Sequence, residues 1–409
     1  MYRRGMEGSR STRNRAVAVT SLGATTTFGR GVEVFWRSLL EGRTGIGPIP
    51  RFPGMSYRAR LAALVPGGGV PGGMVEAQEA QEARDAASLA WEAVAEALGP
   101  VPCTFEPERT AVVVGTTMGA NGSLVDWLRR RGGGSPPPGA SLSSVASGLS
   151  EALGALGPSL TVSVACASGT LAIGLGADLI RSGEADVVVA GGVDVFSEFV
   201  FAGFDSLRAL SIAGARPFDR RRDGLSLGEG AGFVLLEEVS GARRRGRVPL
   251  AYVAGYGSAA DAHHMTRPSP SGEGLVRAVS SALNDAGASP GEIGFVSTHG
   301  TGTVFNDRME AAAFGTLFGE AVRDLPVNSI KGAIGHTLGA AGALEAILSV
   351  LVLSQGAIPP TSGFEVPDPA CPLDVVFGSP RPLAPSCRYV LSTSSAFAGT
   401  NAALVLERA

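Results

Sequence analysis

The stretch Thr161-Val162-Ser163-Val164-Ala165-Cys166-Ala167-Ser168-Gly169-Thr170 joins two structural patterns within ten residues. Its first four residues are strand-like, and the following segment, Leu171–Ser182, has the small and aliphatic residues of a buried helix. Small residues crowd Cys166 on both sides, as a tight turn requires, and the free N–H groups at a helix start favour a thiolate. The stretch therefore predicts an α/β fold with a cysteine nucleophile at a turn, although an inert buried cysteine fits the same spacing.

A second stretch later in the chain has the same design. The strand-like run Ile293–Thr298 leads into His299-Gly300-Thr301-Gly302-Thr303 and then into a helical pattern over Asp307–Phe318. We therefore predict a duplicated α/β unit in which Cys166 and His299 both lie at strand-to-helix turns. Further runs rich in β-branched residues extend the alternation and predict a buried sheet, namely Ala111–Gly115, Ala185–Gly192, Gly232–Glu238 and Tyr389–Ser394.

The chain divides most naturally near Gly246–Pro249, where a basic turn separates two predicted strands. We expect one half over residues 16–247, another over residues 248–409, and a disordered leader over residues 1–15. The leader's arginines resemble the start of a signal peptide, but only four apolar residues follow them. The most apolar stretch elsewhere, Ala346–Leu353, is far shorter than the roughly 20 residues that span a membrane. We therefore expect no membrane segment.

Composition excludes several classes of function. The 409 residues carry a formal net charge of −3, so no overall basic field exists to attract nucleic acid or an anionic membrane. Only one of the 34 basic residues is a lysine, Lys331. The four cysteines show no CxxC spacing, and a chain of this size does not need disulfides. A reducing, cytoplasmic location is the expectation.

Two of the four histidines, His299 and His336, lie among glycines and threonines, which favours a catalytic role. A metal site formed by these histidines and Cys166 is the rival, but no HxxxH or clustered Cys/His pair supports it, so we expect no metal. The adjacent His263 and His264 fit a solvated loop.

The order of six motifs resembles that of the β-ketoacyl-acyl carrier protein synthases, which are condensing enzymes of the thiolase fold. The resemblance runs from Arg15 to Leu406 and implies an α/β fold of two related halves, with mixed sheets layered between helices (αβαβα). The motifs that carry it are the Cys166 turn, Gly203–Ser211, Arg216–Asp219 leading to Gly228–Gly232, His299–Thr303, Lys331–Gly342 and Phe397–Asn401.

The resemblance implies a two-step reaction. Cys166 takes an acyl group, with the backbone N–H groups of Cys166 and Phe397 as the oxyanion hole. His299 and His336 then stabilise the enolate formed when malonyl-acyl carrier protein loses carbon dioxide, and the carbanion attacks the acyl-cysteine. No intrinsic cofactor is implied, since the substrates are carried on phosphopantetheine.

Further roles follow from the same resemblance. Lys331 supports the surroundings of the second histidine and balances Glu345, while Asp307 and Glu310 fix the loop of the first, although acids also suit a helix N-terminus. The remaining assignments concern the pocket, where Thr301 and Thr303 meet the phosphopantetheine arm, Phe397 is the gatekeeper, and Phe204 lines the acyl pocket or packs in the core.

The sequence departs from the family at the gate, where Ala396 and Ala398 replace the usual flanking glycines and put the gate's motion in doubt. Because carrier proteins are acidic, we expect a local basic face at Arg129-Arg130-Arg131, with Arg208 and Arg58 or Arg60 as lesser candidates. A solvated arginine turn is the alternative reading of the triplet.

Other classes of protein remain as alternatives. A non-catalytic chain-length partner subunit normally lacks the cysteine, a degradative thiolase brings a second cysteine instead of His336, and a cysteine hydrolase needs an orienting acid motif. The pathway is open between fatty-acid elongation and the ketosynthase subunit of a type II polyketide or polyene system, which we favour. A dimer is expected, either of two copies or with a chain-length-factor-like subunit.

Overall fold

The computed structural model describes residues 15–49, 56–66, 85–99, 105–119, 127–128, 134–135 and 140–409. The strands of the first half are β1 (Val17–Thr26), β2 (Gly29–Arg30), β3 (Ile46–Pro48), β4 (Leu61–Ala63), β5 (Thr110–Gly115), β6 (Ser159–Val162), β7 (Val187–Asp194), β8 (Leu227–Gly228) and β9 (Gly230–Glu238). Its helices are α1 (Val32–Leu40), α2 (Ala86–Leu98), α3 (Ser144–Leu153), α4 (Ser168–Arg181), α5 (Glu198–Ser206) and α6 (Val239–Arg244).

The second half is likewise built of strands and helices. Its strands are β10 (Ala251–Ala260), β11 (Ile293–Ser297), β12 (Pro326–Asn328), β13 (Ala357–Ile358), β14 (Asp374–Val375), β15 (Arg381–Pro382), β16 (Tyr389–Ser395) and β17 (Thr400–Arg408). Its helices are α7 (Glu273–Ala286), α8 (Val304–Phe318), α9 (Lys331–Ile334) and α10 (Ala341–Gln355).

Both halves use one strand order. The first half has the order β6-β5-β7-β9-β1, and the second has the matching order β12-β11-β16-β17-β10 with the short strand β14 added beside β12 at its edge. In each half the first three strands of that order are parallel and the other two pair antiparallel. The half-sheets meet where β1 pairs with β10 through Ala18–Tyr252 and Val19–Ala251. The prediction of two related α/β halves is confirmed.

The helices form three layers around the half-sheets. Helices α4 and α10 pack against each other and contact both half-sheets, α2 and α3 cover the outer face of the first, and α7 covers that of the second with α8 packed against it. Among the described residues one segment, Leu338–Gln355, is long and apolar enough to cross a membrane. It is 89 % buried because it lies in the central layer, as a core helix does.

Cys166 and His299 both lie between a strand and a helix, as predicted, but the two turns do not occupy equivalent places in the duplication. The Cys166 turn follows β6, the third main strand of its half in chain order, whereas His299 follows β11, the second of its half. The counterpart of the Cys166 turn is the segment 329–340, which joins β12 to α10 and carries His336. The stretches around Cys166 and His299 look alike in sequence because each places a reactive residue after a strand. Their different places in the two halves follow from strand order, which a local sequence pattern does not encode.

Individual elements agree better with expectation. The predicted strands all form, within a few residues of their expected bounds, and both predicted helices begin three residues earlier, at Ser168 and Val304. The second shift has a local cause, since the Thr303 hydroxyl accepts a hydrogen bond from the N–H of Asn306 and caps the helix. The connection between α6 and β10 contains Gly246–Pro249. The domain bounds placed there, and the leader, which lies outside the described residues except for Arg15, stay predictions.

Candidate active site

The Cys166 turn is held by hydrogen bonds within a few residues. The Ser168 hydroxyl accepts from the N–H of Val164 at 2.9 Å and donates to the carbonyl of Ala165 at 2.6 Å. Ala165 has a φ of 48°, a left-handed conformation that is uncommon for alanine. This sharp reversal places Cys166 two residues before the start of α4, near the positive end of the helix dipole.

His336 lies against Cys166. Its Nε2 is 3.0 Å from the Cys166 sulfur, and its Nδ1 accepts a hydrogen bond from the N–H of Leu338 at 3.3 Å. Because Nδ1 is an acceptor, the proton of the neutral ring resides on Nε2, which points at the sulfur. Hydrogen bonds to the Ser226 carbonyl and from the Gly228 N–H fix the histidine's backbone.

His299 receives a hydrogen bond from the other side. Lys331 places its ammonium 3.2 Å from His299 Nδ1 and forms a buried ion pair with Glu345. An ammonium only donates, so the His299 proton also resides on Nε2. Lys331 was expected to serve the second histidine; its hydrogen bond goes instead to the first. Gly335, between Lys331 and His336, has a left-handed backbone with a φ of 67°.

Two buried acids hold the His299 loop. Glu310 accepts hydrogen bonds from the N–H groups of His299 and Gly300 at 2.8 and 2.7 Å. Asp307 accepts from the N–H of Gly302 at 3.2 Å and from that of Phe218 at 2.7 Å. These contacts are more than a charge preference at a helix N-terminus, because the carboxylates bond to specific loop amides.

Burial dominates the electrostatics. It raises the pKa of the Cys166 thiol to about 12, against the lowering effect of the Lys331 charge and of a hydrogen bond from the Phe397 N–H. Burial, helped by Lys331, also holds the pKa of both histidines well below the usual value. Burial raises the pKa of Asp307 to about 6 and that of Glu310 and Glu345 to about 7. Both imidazoles are therefore neutral at pH 7.

A cavity of about 410 Å³ leads to these groups. Cys166 and both histidines line its floor, and Thr301 and Thr303 line its wall with their hydroxyls 2.9 Å apart. The half-buried rings of Phe204 and Phe397 stack over it with centroids 5.4 Å apart. The next residue, Ala398, has a φ of 65° and donates its N–H to the Met265 carbonyl.

One donor atom each from Cys166, His299 and His336 lies within 4.8 Å of the others, so the alternative of a metal site has a geometric basis. The hydrogen-bond pattern argues against it. Both Nδ1 atoms already accept hydrogen bonds, and both Nε2 atoms carry protons where a metal would need lone pairs. The arrangement suits two N–H donors facing an anionic oxygen.

The remaining candidates lie farther out. Of the arginines expected to form a basic face, Arg208 is exposed at the cavity rim and Arg60 is also exposed. Arg58 donates a hydrogen bond to the Leu210 carbonyl. Arg129–Arg131 lie outside the described residues. His263 and His264 are exposed, and His264 also lines the cavity. Cys371 and Cys387 are buried free thiols, and Cys103 lies outside the described residues.

Sequence reasoning missed Asp194. This fully buried carboxylate at the end of β7 accepts hydrogen bonds from Thr116, Thr117, Met118 and, at 2.6 Å, the N–H of Gly339 in the His336 segment. A single acid after a valine-rich strand reads as an ordinary turn residue. The contact shows that the first half positions part of the second.

The fold and this site define a class, the thiolase-like enzymes that pair a nucleophilic cysteine with two histidines. Two family descriptions match the chain: beta-ketoacyl synthase, N-terminal domain, over residues 14–242, and beta-ketoacyl synthase, C-terminal domain, over residues 250–365. The chain belongs to the beta-ketoacyl synthase family.

Relatives of known name agree. The chain is 38 % identical to the tetracenomycin polyketide synthase ketoacyl synthase alpha subunit of Streptomyces glaucescens, over 96 % of this chain and 97 % of that one. It is 34 % identical to 3-oxoacyl-[acyl-carrier-protein] synthase 2 of Coxiella burnetii, over 96 % and 99 %. The solved ishigamide ketosynthase/chain length factor matches with a TM-score of 0.86 and 35 % identity, over 97 % and 99 %.

Proposed function

We propose that this chain is the catalytic ketosynthase that extends acyl chains by decarboxylative condensation on an acyl carrier protein. The observation that carries the proposal is that one donor atom each of Cys166, His299 and His336 lies within 4.8 Å of the others, while both Nδ1 atoms accept hydrogen bonds and leave the proton of each ring on Nε2. Family membership supports the same chemistry. No intrinsic cofactor takes part, since each acyl group arrives as a thioester of phosphopantetheine.

In the first step the Cys166 thiolate attacks the donor thioester carbon. The bond from that carbon to the donor sulfur breaks, and the carrier thiol leaves with the proton that Cys166 loses. The N–H groups of Cys166 and Phe397 stabilise the oxyanion of the intermediate. The approach of substrate and the dipole of α4 oppose the effect of burial on the pKa of the thiol.

In the second step a malonyl thioester enters, with Thr301 and Thr303 beside its phosphopantetheine arm. The bond to the carboxylate breaks, carbon dioxide leaves, and the electron pair forms an enolate whose oxygen accepts from His299 and His336. The carbanion attacks the acyl carbon on Cys166, and the cysteine sulfur leaves as a thiolate. Lys331, Glu345, Asp307 and Glu310 hold the histidines, and the Phe204–Phe397 pair separates the acyl pocket from the arm.

We favour the ketosynthase subunit of a type II polyketide or polyene system, supported by the similarity to the tetracenomycin alpha subunit and the ishigamide complex. It would dimerise with a chain-length-factor-like subunit or with a second copy, as fatty-acid elongation enzymes do. Arg208, and by sequence Arg129–Arg131, would meet the acidic carrier protein. Three free cysteines among the described residues fit the reducing cytoplasm.

The test is mass spectrometry of the protein after incubation with an acyl carrier thioester. We expect the acyl mass on Cys166, no acyl mass on Cys166→Ala, and an unaltered result for Cys387→Ala, a matched buried thiol outside the site. Cys166→Gln should decarboxylate malonyl-carrier without condensing it. An unacylated wild type would refute the proposal and favour a non-catalytic partner subunit, whereas condensation by Cys166→Ala would refute the role proposed for Cys166.

A further inference from the structure

Two buried hydroxyl groups connect the helix after the nucleophile to the ion pair behind His299. Thr170 lies in the first turn of α4, and Ser394 lies near the end of β16. The Thr170 Oγ1 and Ser394 Oγ are 2.8 Å apart, and Ser394 Oγ is 3.4 Å from Glu345 Oε2. Both residues are fully buried. The steps described above assign them no part.

The carboxylate determines the direction of these hydrogen bonds. An ionised carboxylate only accepts, so Ser394 donates its one hydroxyl hydrogen to Glu345, and Thr170 then donates to Ser394. The other oxygen of Glu345 accepts from the Lys331 ammonium, which donates to His299. An unbroken series of four hydrogen bonds therefore links α4 to the ring of His299.

The backbone is shaped around this series. Gly342, in the first turn of α10, has no side chain where α4 approaches. A Cβ atom there would lie 2.0 Å from Thr170 Oγ1 and 3.0 Å from Ser394 Oγ. The glycine thus leaves the space in which the two hydroxyls meet, and a hydrogen bond replaces the packing that an alanine would give.

We infer that Thr170 and Ser394 are positioning residues for the condensation step, which hold the Glu345 carboxylate ionised and oriented and thereby keep His299 Nε2–H directed at the enolate oxygen. The inference rests on the function proposed above. It assigns no role to either hydroxyl in the acylation of Cys166, because the series ends at His299 and not at the sulfur.

The pH dependence of decarboxylation should report this role. Glu345 faces Lys331 and Ser394, with His299 and Cys166 beyond them. Burial raises the pKa of Glu345 to about 7, while Lys331 and Ser394 both lower it. Loss of the Ser394 hydroxyl removes one lowering contact, so the pKa rises further. Decarboxylation then needs a higher pH, and the acid limb of its profile moves upward.

The experiment separates the two half-reactions in Thr170→Val, which keeps the side-chain shape, and in Ser394→Ala. Single-turnover acylation of Cys166 and decarboxylation of malonyl-carrier are each measured across the pH range. We expect decarboxylation near pH 7 to fall about fivefold in Ser394→Ala and about twofold in Thr170→Val, with the acid limb shifted upward and acylation unchanged. Thr170→Ser should restore the wild-type profile.

Ser349→Ala is the matched control, because the buried Ser349 hydroxyl donates to the backbone carbonyl of Glu345 and not to its carboxylate. It should leave the pH profile in place. Wild-type decarboxylation profiles in both test variants would overturn the inference, as would equal losses in both half-reactions with an unmoved acid limb, which indicate a folding role. A wild type that neither acylates nor decarboxylates refutes the proposed function itself.

Discussion

The Cys166 turn and its counterpart, the segment 329–340 that carries His336, follow the third main strand of their halves and lead into the paired helices α4 and α10. Pseudo-symmetry brings them together at the centre, with Cys166 Sγ and His336 Nε2 3.0 Å apart. Each contains one non-glycine residue with a left-handed backbone, Ala165 with a φ of 48° and Leu338 with a φ of 51°.

The two segments differ in what holds them. The Cys166 turn is closed by Ser168, two residues away. The His336 segment depends on the other half, because Asp194 accepts from Gly339 and the Ser226 carbonyl accepts from His336. The difference shows that the turn around Cys166 is shaped by local hydrogen bonds, whereas His336 is placed only when both halves are packed together.

The largest effect is expected from removing Asp194, which supports the His336 segment from the first half. Asp194→Ala leaves several buried donors without an acceptor, so we expect the free energy of unfolding to fall by about 3 kcal/mol. Decarboxylation should be lost while Cys166 can still be alkylated. Denaturant unfolding and the two assays measure this outcome. Unchanged decarboxylation would mean that the His336 segment keeps its conformation without Asp194. It would contradict the view that this segment depends on the first half.

The pH dependence of thiol reactivity tests the local environment of the nucleophile. Because burial raises the pKa of Cys166 to about 12, the thiolate fraction increases with pH throughout the neutral range. We expect alkylation by iodoacetamide to accelerate about tenfold per pH unit between about pH 7 and 9. Mass spectrometry gives the rates. A plateau below pH 8 would show that the dipole of α4 outweighs burial.

Substitution of Lys331, the only lysine of the chain, tests whether the His336 segment needs an ammonium group at this position. In Lys331→Arg the planar guanidinium must fit a fully enclosed space and meet both Glu345 and His299. We expect condensation to fall about tenfold, since a weakened hydrogen bond to a charged group costs about 1.5 kcal/mol. Acylation of Cys166 should persist. Near-normal condensation would make the lone lysine a compositional accident.

The complementary experiment weakens the hydrogen bonds that hold the Cys166 turn. Ser168→Ala removes the two hydrogen bonds of the Ser168 hydroxyl and leaves the backbone hydrogen bonds of the Cys166 turn, so we expect the free energy of unfolding to fall by about 1 kcal/mol. Acylation should slow several-fold more than decarboxylation. Parallel assays of the two half-reactions measure the ratio. Equal losses would contradict the view that this turn is held separately from the His336 segment.

The smallest effect concerns the gate. Ala398 has a left-handed backbone beside Phe397, so Ala398→Gly should relieve strain and raise the free energy of unfolding by up to about 1 kcal/mol. The extra freedom of glycine in the unfolded chain offsets part of this gain. Thermal unfolding measures the change. A destabilised variant would mean that the Ala398 methyl group makes a contact that outweighs the strain.

The sequence predicted the parts of the site whose signal is local. The small residues around Cys166 and the glycines around His299 and His336 indicated sharp turns. The predicted strands formed close to their expected bounds. Three features had no local signal. The equivalence of the Cys166 and His336 segments depends on strand order. The contact of Lys331 with His299 depends on how two segments 32 residues apart pack together, and the contact of Asp194 with Gly339 depends on packing between the halves.

The central position of α10 has a consequence for how the chain is made. This helix covers the inner faces of both half-sheets, yet it lies near the end of the sequence. During synthesis α4 is already available to cover β5 and β7, but the inner face of β9 stays without its α10 contacts until residues 341–355 leave the ribosome. An apolar sheet face exposed in this way is prone to aggregate. The core of the first half is therefore complete only when α10, from the second half, has packed against it.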